Sequence, residues 1–263
     1  MANAGSLANI PDYRLLEQSN LVENMSGMAE ANITLNTALT IALAAHMSSR
    51  YDGSPAWVYS IAATGGIPNY QKSFGITLST GAANNDYSGV AADKPYYFRP
   101  LQYASMFPND IKFILEFYGV LNGNALTHEK FKFFIGMAYA NILAAPFVGI
   151  FEDKANVIKR FGISSNNSVD NHAVGVAADG VNVTNTASFI IDGAHLHHYK
   201  MIYYLGSKID FFYDSVLKGT INTTLPETGN PQPAQNFMPV FSIGRITATN
   251  VAFMHRMKCY FER

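Results

Sequence analysis

The chain has 263 residues, a formal net charge of −1 and 14% charged residues. Its lysines and arginines are scattered, which excludes the basic patch that binding to nucleic acid or to an anionic membrane surface requires. The low charged fraction indicates a largely uncharged surface, which either contacts other subunits or is rich in Asn, Ser, Thr and Gly. A single all-β domain can reach this length, so the simplest organisation is one domain with an appended arm.

Residues 1–32 are predicted to form that N-terminal arm, with a short helix over about 12–25 that Asp12 would cap. The arm lies either across a neighbouring subunit or against its own domain. It lacks the basic start and the apolar stretch of a secretory signal. No run in the chain reaches 18 apolar residues, so no membrane-spanning segment is predicted. The single cysteine, Cys259, fits folding in a reducing cytoplasm.

Apolar runs of strand length recur from Ile33 onwards. The alternation over 33–45 favours a strand, although its alanines keep a helix as the alternative. Short runs between turn signals, as in a β-sandwich, then cover 56–63, 74–78, 96–99, 147–151, 174–177, 187–191, 240–247 and 254–261. Residues 111–118 and 131–138 are predicted to pair as a central hairpin, joined by a loop that contains residues 121–124.

Residues 197–226 predict three consecutive antiparallel strands. Apolar and aromatic residues alternate with their neighbours over the first two strands, and a turn at 205–207 separates them. Asp214 and Ser215 make the second turn, and the third strand runs from Val216 to Thr223 before Pro226. The chain is therefore predicted to be all-β, a two-sheet antiparallel β-sandwich over 33–263, with at least one sheet edge covered by the arm or by a neighbour.

The order of these features resembles the concanavalin A-like lectin/glucanase domains, in particular the lectin-like domains of structural proteins from bacteriophages and other viruses. The similar features over 33–263 are, in order, the strand with Trp57, a Gly-Gly turn, SFGITLSTGAANNDYSGV, the long paired set over 111–138, and HHYKMIYY followed by a turn, IDFFYDSVLKGTI and a proline. Where the family commonly has FYVDG, this chain has Ser215 in place of the glycine. The resemblance implies a jelly-roll sandwich and says little about a ligand, because a fold does not fix a function.

The chain lacks the carboxylate pattern of the glucanases. Those enzymes place a Glu-x-Asp-x-x-Glu run on one strand, because alternate residues point into the same cleft. Here Glu152 and Asp153 are adjacent, and Glu116 has no acidic residue two positions on. No enzymatic activity and no cofactor are predicted.

Three histidines, His195, His197 and His198, lie at the start of the strand predicted from residue 197. His195 and His197 could share a strand face as a zinc pair, with Asp192 or His172 as a third ligand. We favour the alternative, in which Asp192 opens a turn and the histidines simply begin the strand, and we predict no metal. The Asn and Asp residues at 84–86 and 166–171 offer oxygen ligands for calcium, but they are also ordinary turn residues.

Five aromatic residues are candidates for contact with a glycan or with another subunit: Trp57, Tyr96, Tyr97, Tyr203 and Tyr204. Each tyrosine pair places one ring out of its sheet, whereas a tryptophan in an apolar strand is more typical of a core. The predicted function is a non-enzymatic virion structural protein, made in the host cytoplasm and assembled with copies of itself and other virion proteins. The alternative is a module that binds a host-surface glycan, and a glycoside hydrolase is least favoured.

Overall fold

The structure, a computed structural model, describes residues 21–24, 57–61, 69–71, 75–79, 87–92, 112–121, 131–139, 159–166, 169–204, 206–226, 237–245 and 251–262. Every regular element in these ranges is a β-strand. No helix in this part of the chain has the length and apolarity that crossing a membrane requires. The predicted strands at 33–45, 96–99 and 147–151 lie outside the described residues.

The sixteen strands are β1 Leu21–Asn24, β2 Trp57–Ile61, β3 Asn69–Gln71, β4 Gly75–Ser79, β5 Tyr87–Ala92, β6 Lys112–Val120, β7 Phe131–Tyr139, β8 Arg160–Ser165, β9 His172–Ala178, β10 Val183–Asn185, β11 Phe189–Ile190, β12 His197–Tyr204, β13 Lys208–Tyr213, β14 Val216–Ile221, β15 Phe237–Arg245 and β16 Val251–Glu262. They form two antiparallel sheets of eight strands each. Sheet A has the order β14-β13-β12-β6-β16-β4-β3, with β1 also paired to β16. Sheet B has the order β10-β9-β8-β7-β15-β5-β2, with β11 also paired to β9.

The two sheets face each other across a core of aromatic and aliphatic side chains. The ring of Phe161 on β8 lies 6.2 Å from that of Phe113 on β6 and 5.1 Å from that of Tyr203 on β12, measured between centroids. Phe117 on β6 and Phe241 on β15 make a further contact between the sheets at 6.4 Å. These contacts confirm the predicted two-sheet antiparallel β-sandwich.

The predicted hairpin of β6 and β7 is wrong, because the two strands lie in different sheets. β6 pairs with β12 and β16, whereas β7 pairs with β8 and β15. The connection over 121–130 is longer than the two to five residues of ordinary hairpin loops, so it can carry the chain from one sheet to the other. Each strand occupies the centre of its own sheet.

The arm contributes β1 to sheet A. Leu21–Asn24 pair with Cys259 to Arg256 of β16, so these four residues of the predicted helix are a strand. The reason is the length of β16: β4 pairs with Val251–Met254, and the later residues on that side of β16 offer β1 open backbone groups. The rest of the predicted helix lies outside the described residues, and the domain boundary at residue 32 stays a prediction.

Strands β12, β13 and β14 confirm the three consecutive strands predicted over 197–226. Tyr199, Met201 and Tyr203 are fully buried, and the residues between them are partly exposed. Tyr213 pairs with Val216 across a two-residue turn in which Asp214 has φ 49° and Ser215 has φ 66°. Two positive φ values in a two-residue hairpin are typical of a type I′ turn. The third strand ends at Ile221, two residues before the predicted Thr223.

Candidate functional site

The rings of Tyr203 and Tyr204 lie on opposite faces of sheet A. Tyr203 is 0% exposed and packs between the sheets against Phe161, so it cannot make the predicted glycan or subunit contact. Tyr204 points away from the core and is partly exposed. The Nζ atoms of Lys208 and Lys112 lie 4.5 Å and 5.9 Å from the centroid of its ring, close enough for cation–π attraction to hold the ring in place.

The other three aromatic candidates are only partly placed. Trp57 begins β2, which is the last strand on its side of sheet B among the described residues, and pairs with Ala92 of β5. Tyr96 and Tyr97 lie outside the described residues.

A second pair of rings lies further along β12 on the same face as Tyr204. His198 pairs with Tyr118 of β6, and their rings stack at a centroid distance of 4.3 Å with an interplanar angle of 3°. Burial of the His198 imidazole lowers its pKa, and this effect exceeds the opposing attraction to Glu116. The ring is therefore expected to be neutral at neutral pH.

Fixed charges accompany these rings. Glu116 on β6 lies opposite Lys200 on β12, with Oε1 3.5 Å from Lys200 Nζ and Oε2 3.9 Å from His198 Nε2. Asp210 on β13 accepts hydrogen bonds from Lys208 Nζ at 2.8 Å and from a threonine hydroxyl of β14 at 2.6 Å. The bond to Asp210 raises the pKa of Lys208. We call this side of the sheet, which carries Lys112, Glu116, Tyr118, His198, Lys200, Tyr204, Lys208 and Asp210, the outer face of sheet A. Glu116 and Asp210 are buried in it, at 8% and 4% exposure.

A separate cluster lies where the loop before β12 meets the β13–β14 turn. Its members are Asp192, His195, His197 and Asp214, and we call it the histidine cluster. Asp192 Oδ2 lies 2.5 Å from His195 Nδ1 and 3.7 Å from His197 Nε2. Asp214 Oδ2 lies 2.6 Å from His197 Nδ1.

The loop that carries Asp192 is held by hydrogen bonds at its backbone and at its side chain. The backbone N–H of Asp192 donates to Tyr213 Oη at 2.9 Å, and its Oδ1 accepts the N–H of Ala194 at 2.7 Å. The bonds from Ala194 and His195 hold the pKa of Asp192 below its usual value. The predicted turn at Asp192 is confirmed, and the turn also brings the carboxylate to the histidines.

Among the sequence candidates for a third ligand, the structure selects Asp192 over His172. His172 Nδ1 instead makes a 2.6 Å contact with the backbone carbonyl of Asp170 in its own turn. Asp214 was not anticipated as a partner of His197, since it lies 17 residues along the chain. The signal that could have found it is the β12–β13 pairing, because the alternation on both strands places the turn after β13 beside the start of β12.

No protein-family model matches this chain, and no curated protein matches it by sequence. Solved structures do match. The potassium-bound carbohydrate recognition domain of Emp46p is 10% identical, covers 90% of this chain and 98% of its own, and has a TM-score of 0.52. The exoplasmic/lumenal domain of VIP36, bound to Ca²⁺ and Man2, is 12% identical, covers 93% and 88%, and has a TM-score of 0.51.

A β-glucanase from Bacillus licheniformis also matches, at 9% identity and a TM-score of 0.47, over 82% of this chain and 96% of its own. The fold of this chain is that of the concanavalin A-like sandwich domains, as the resemblance implied. At these identities the likeness concerns the fold alone.

Proposed function

We propose that this protein is a non-catalytic carbohydrate-binding protein that uses the outer face of sheet A. The observation that carries the proposal is the combination of Tyr204 and the Tyr118–His198 stack on one face of the sheet. Sugars are amphipathic, so a site for them needs aromatic surface for the C–H faces and fixed polar groups for the hydroxyls.

The spacing of these rings indicates the size of the ligand. His198 and Tyr204 lie six residues apart on β12 and point to the same side, which corresponds to roughly 20 Å along a strand. Such a distance suits an oligosaccharide better than a single sugar. Between the rings, Lys200 and Glu116 are held against each other, so their polar groups are positioned before a ligand arrives.

The proposal of a non-catalytic protein rests on the pattern of carboxylates in the sequence. A retaining glycosidase needs two carboxyl groups about 5 to 5.5 Å apart, one as nucleophile and one as acid. The sequence has no Glu-x-Asp-x-x-Glu run: Glu116 has no acidic residue two positions on, and Glu152 and Asp153 are adjacent. The similar structures above a TM-score of 0.5 include a carbohydrate recognition domain, which supports binding as the shared use of this fold.

The experiment is a glycan array probed with the full chain, followed by calorimetric titration of the strongest hit. Tyr204→Ala and His198→Ala are each expected to weaken binding by about tenfold, since each removes one ring of the platform. Val181→Ala is the matched control, because Val181 is 60% exposed in the loop between β9 and β10 of sheet B. Absence of any glycan binding, or equal binding by wild type and both ring variants, refutes the proposal.

A second candidate function, assembly between copies of the chain, is favoured by the edge strand β14. Val216 and Leu217 on this strand are 55% and 52% exposed, and β13 is the only strand that pairs with β14 in the described part of the chain. An exposed apolar edge is a site for pairing with another chain. The virion role, with synthesis in the host cytoplasm and contacts to other virion proteins, stays a prediction. Assembly between copies of the chain is the property that such a role would require.

Light scattering over a range of concentrations tests the assembly function. Oligomers of wild type that Leu217→Lys converts to monomers would support it, because a lysine on an edge strand opposes pairing. A wild-type chain that stays monomeric at the highest concentration would exclude it.

A further inference from the structure

We propose that Asp192, His195 and His197 bind a divalent transition metal ion of the Zn²⁺ type, with Asp214 orienting His197. One ligand atom from each of the three residues lies within 4.8 Å of the other two. The site is independent of the glycan binding proposed above, since it uses different residues, which lie in the loop before β12 and at the first position of that strand.

His197 has the arrangement of a metal ligand that is held by a carboxylate. A carboxylate oxygen can only accept, so the 2.6 Å contact with Asp214 places the proton of the neutral ring on Nδ1 and leaves the lone pair on Nε2. Nε2 is buried and has no hydrogen-bond partner among the described residues. A buried acceptor without a partner is costly, and a metal ion would satisfy it.

Asp214 is itself fixed, so it can hold the ring in one orientation. Its Oδ1 accepts the backbone N–H of His198 at 2.9 Å, and its own N–H donates to the carbonyl of the same residue at 2.8 Å. The ring of Tyr213 packs against the His197 ring at a centroid distance of 4.9 Å. Carboxylate partners of this kind fix the tautomer and raise the basicity of a ligating histidine.

Asp192 directs its second carboxylate oxygen, Oδ2, to the same point, where it is hydrogen-bonded to His195 Nδ1. Its Oδ1 is taken by the N–H of Ala194, which leaves Oδ2 facing both histidines. The bonds between Asp192 and Tyr213 tie this loop to the β13–β14 hairpin, where Asp214 lies. Both halves of the site are therefore connected through one tyrosine.

The distances fit a small tetrahedral ion after a modest adjustment. Ligand bonds of 2.0–2.2 Å at the tetrahedral angle separate ligand atoms by about 3.3 to 3.6 Å. The 3.7 Å separation of Asp192 and His197 is close to that value, whereas the 2.5 Å contact of Asp192 and His195 is a hydrogen bond that the ion would have to replace, with the ring of His195 offering an unprotonated nitrogen instead. His195 can move, because its side chain is 76% exposed.

The donor set selects the kind of ion. Two imidazoles and one carboxylate suit Zn²⁺ and its neighbours, whereas Ca²⁺ takes six to eight oxygen ligands. Three protein ligands also leave a fourth position for water. The expected preference is therefore Zn²⁺ or Co²⁺ over Ca²⁺.

The test uses the full chain after dialysis against a chelator. Titration calorimetry with Zn²⁺ measures stoichiometry and affinity, and the visible absorption of Co²⁺ reports its coordination. We expect one equivalent of Zn²⁺, a four-coordinate Co²⁺ spectrum and much weaker binding of Ca²⁺. His195→Ala and His197→Ala should each weaken Zn²⁺ binding at least tenfold, and Asp214→Asn by 10- to 100-fold.

His172→Ala is the matched control, since His172 is the first residue of β9 and lies outside the cluster. It should leave the affinity unchanged. The proposal is overturned if wild type binds no Zn²⁺, if Ca²⁺ binds more tightly, or if His172→Ala weakens binding as much as His195→Ala. Should His197→Ala fail to fold, the exposed His195 still decides the outcome.

Discussion

The contact between Gly175 and Phe211 allows the packing of the two sheets to be tested at a single point. Gly175 lies on β9 of sheet B, and a Cβ atom added there would lie 2.5 Å and 2.6 Å from two ring carbons of Phe211 on β13 of sheet A. Phe211 is 0% exposed, so its ring has little room to move. The backbone of Gly175 is bonded to Thr186 at both its N–H and its carbonyl, so β9 cannot easily shift either.

Gly175→Ala should therefore destabilise the protein by about 2 to 3 kcal/mol, the upper part of the range for overpacking a core. For a chain of this size each kcal/mol lowers Tm by roughly 2 to 4 °C, so a fall of about 4 to 12 °C is expected. Thermal unfolding followed by circular dichroism measures it.

A double-mutant cycle with Phe211→Leu isolates the contact. If the alanine clashes with the ring, Gly175→Ala should cost at least about 1 kcal/mol less in the Phe211→Leu background, because the smaller side chain leaves space. Gly206→Ala is the control: a Cβ there meets nothing within 4 Å, and its cost of about 1 kcal/mol from a φ of +72° should be the same in both backgrounds. Equal costs for Gly175→Ala in the two backgrounds would refute the facing of β9 and β13.

Three further predictions concern β12 and the β13–β14 hairpin. Ser215→Gly should stabilise the protein by about 0.5 to 1 kcal/mol in urea unfolding, because Ser215 has φ 66°, which glycine adopts without strain. Asp214→Gly should destabilise the protein, because it removes the side-chain bonds to β12. Stabilisation by both variants would contradict this account. Tyr199→Phe should be neutral or stabilising, since its buried hydroxyl has no partner among the described residues, and a loss above about 1 kcal/mol would be inconsistent. Burial raises the pKa of Tyr213 to about 12. Because the unfolded phenol ionises near pH 10, the contribution of Tyr213 to stability is complete below pH 10 and is lost as pH rises towards 12. Alkaline unfolding of Tyr213→Phe should lack that part of the decline, and identical pH dependence in both proteins would exclude the shift.

The alternation of apolar and polar residues in the sequence predicted those strands that bury one face and expose the other. β12 shows it plainly, because buried and partly exposed residues alternate along it. β6 is buried on both faces at most positions, so its sequence shows a strand without showing which strands it pairs with. Pairing between distant segments depends on the fit of whole faces, and no local pattern encodes it.

A glycine inside a strand explains why one strand was missed in the sequence. β8 was not predicted, and it contains Gly162, a residue usually typical of turns. A Cβ at Gly162 would lie 2.8 Å from the ring of Phe134 and 2.5 Å from the carbonyl oxygen of Ile135. The glycine is thus required for close packing inside a strand, a requirement that only the partner strand β7 makes visible.

In the candidate sites too, contacts between residues close in sequence could be predicted, and contacts between residues far apart in sequence could not. The spacing of Asp192, His195 and His197 was visible in the sequence, because one turn brings them together. That Tyr203 and Tyr204 lie on opposite faces of the sheet was also predictable. Tyr203 follows Tyr199 and Met201 at every second position, and this spacing could have shown that it points inwards with them. Asp214 could not be assigned to His197 without the register of two strands.

Asp214 connects the fold to the proposed metal site. It has φ 49°, a conformation that Asp adopts more readily than most residues, and its side chain and backbone both bond to His198 at the start of β12. The same carboxylate orients His197. Metal binding should therefore stabilise the β12–β13–β14 segment in particular, because an ion held by His197 and Asp192 would add a link between the loop before β12 and this turn. Slower hydrogen exchange in β12 and β13 than in β7 on addition of Zn²⁺ would be the direct sign of that link, and uniform protection of both sheets would count against it.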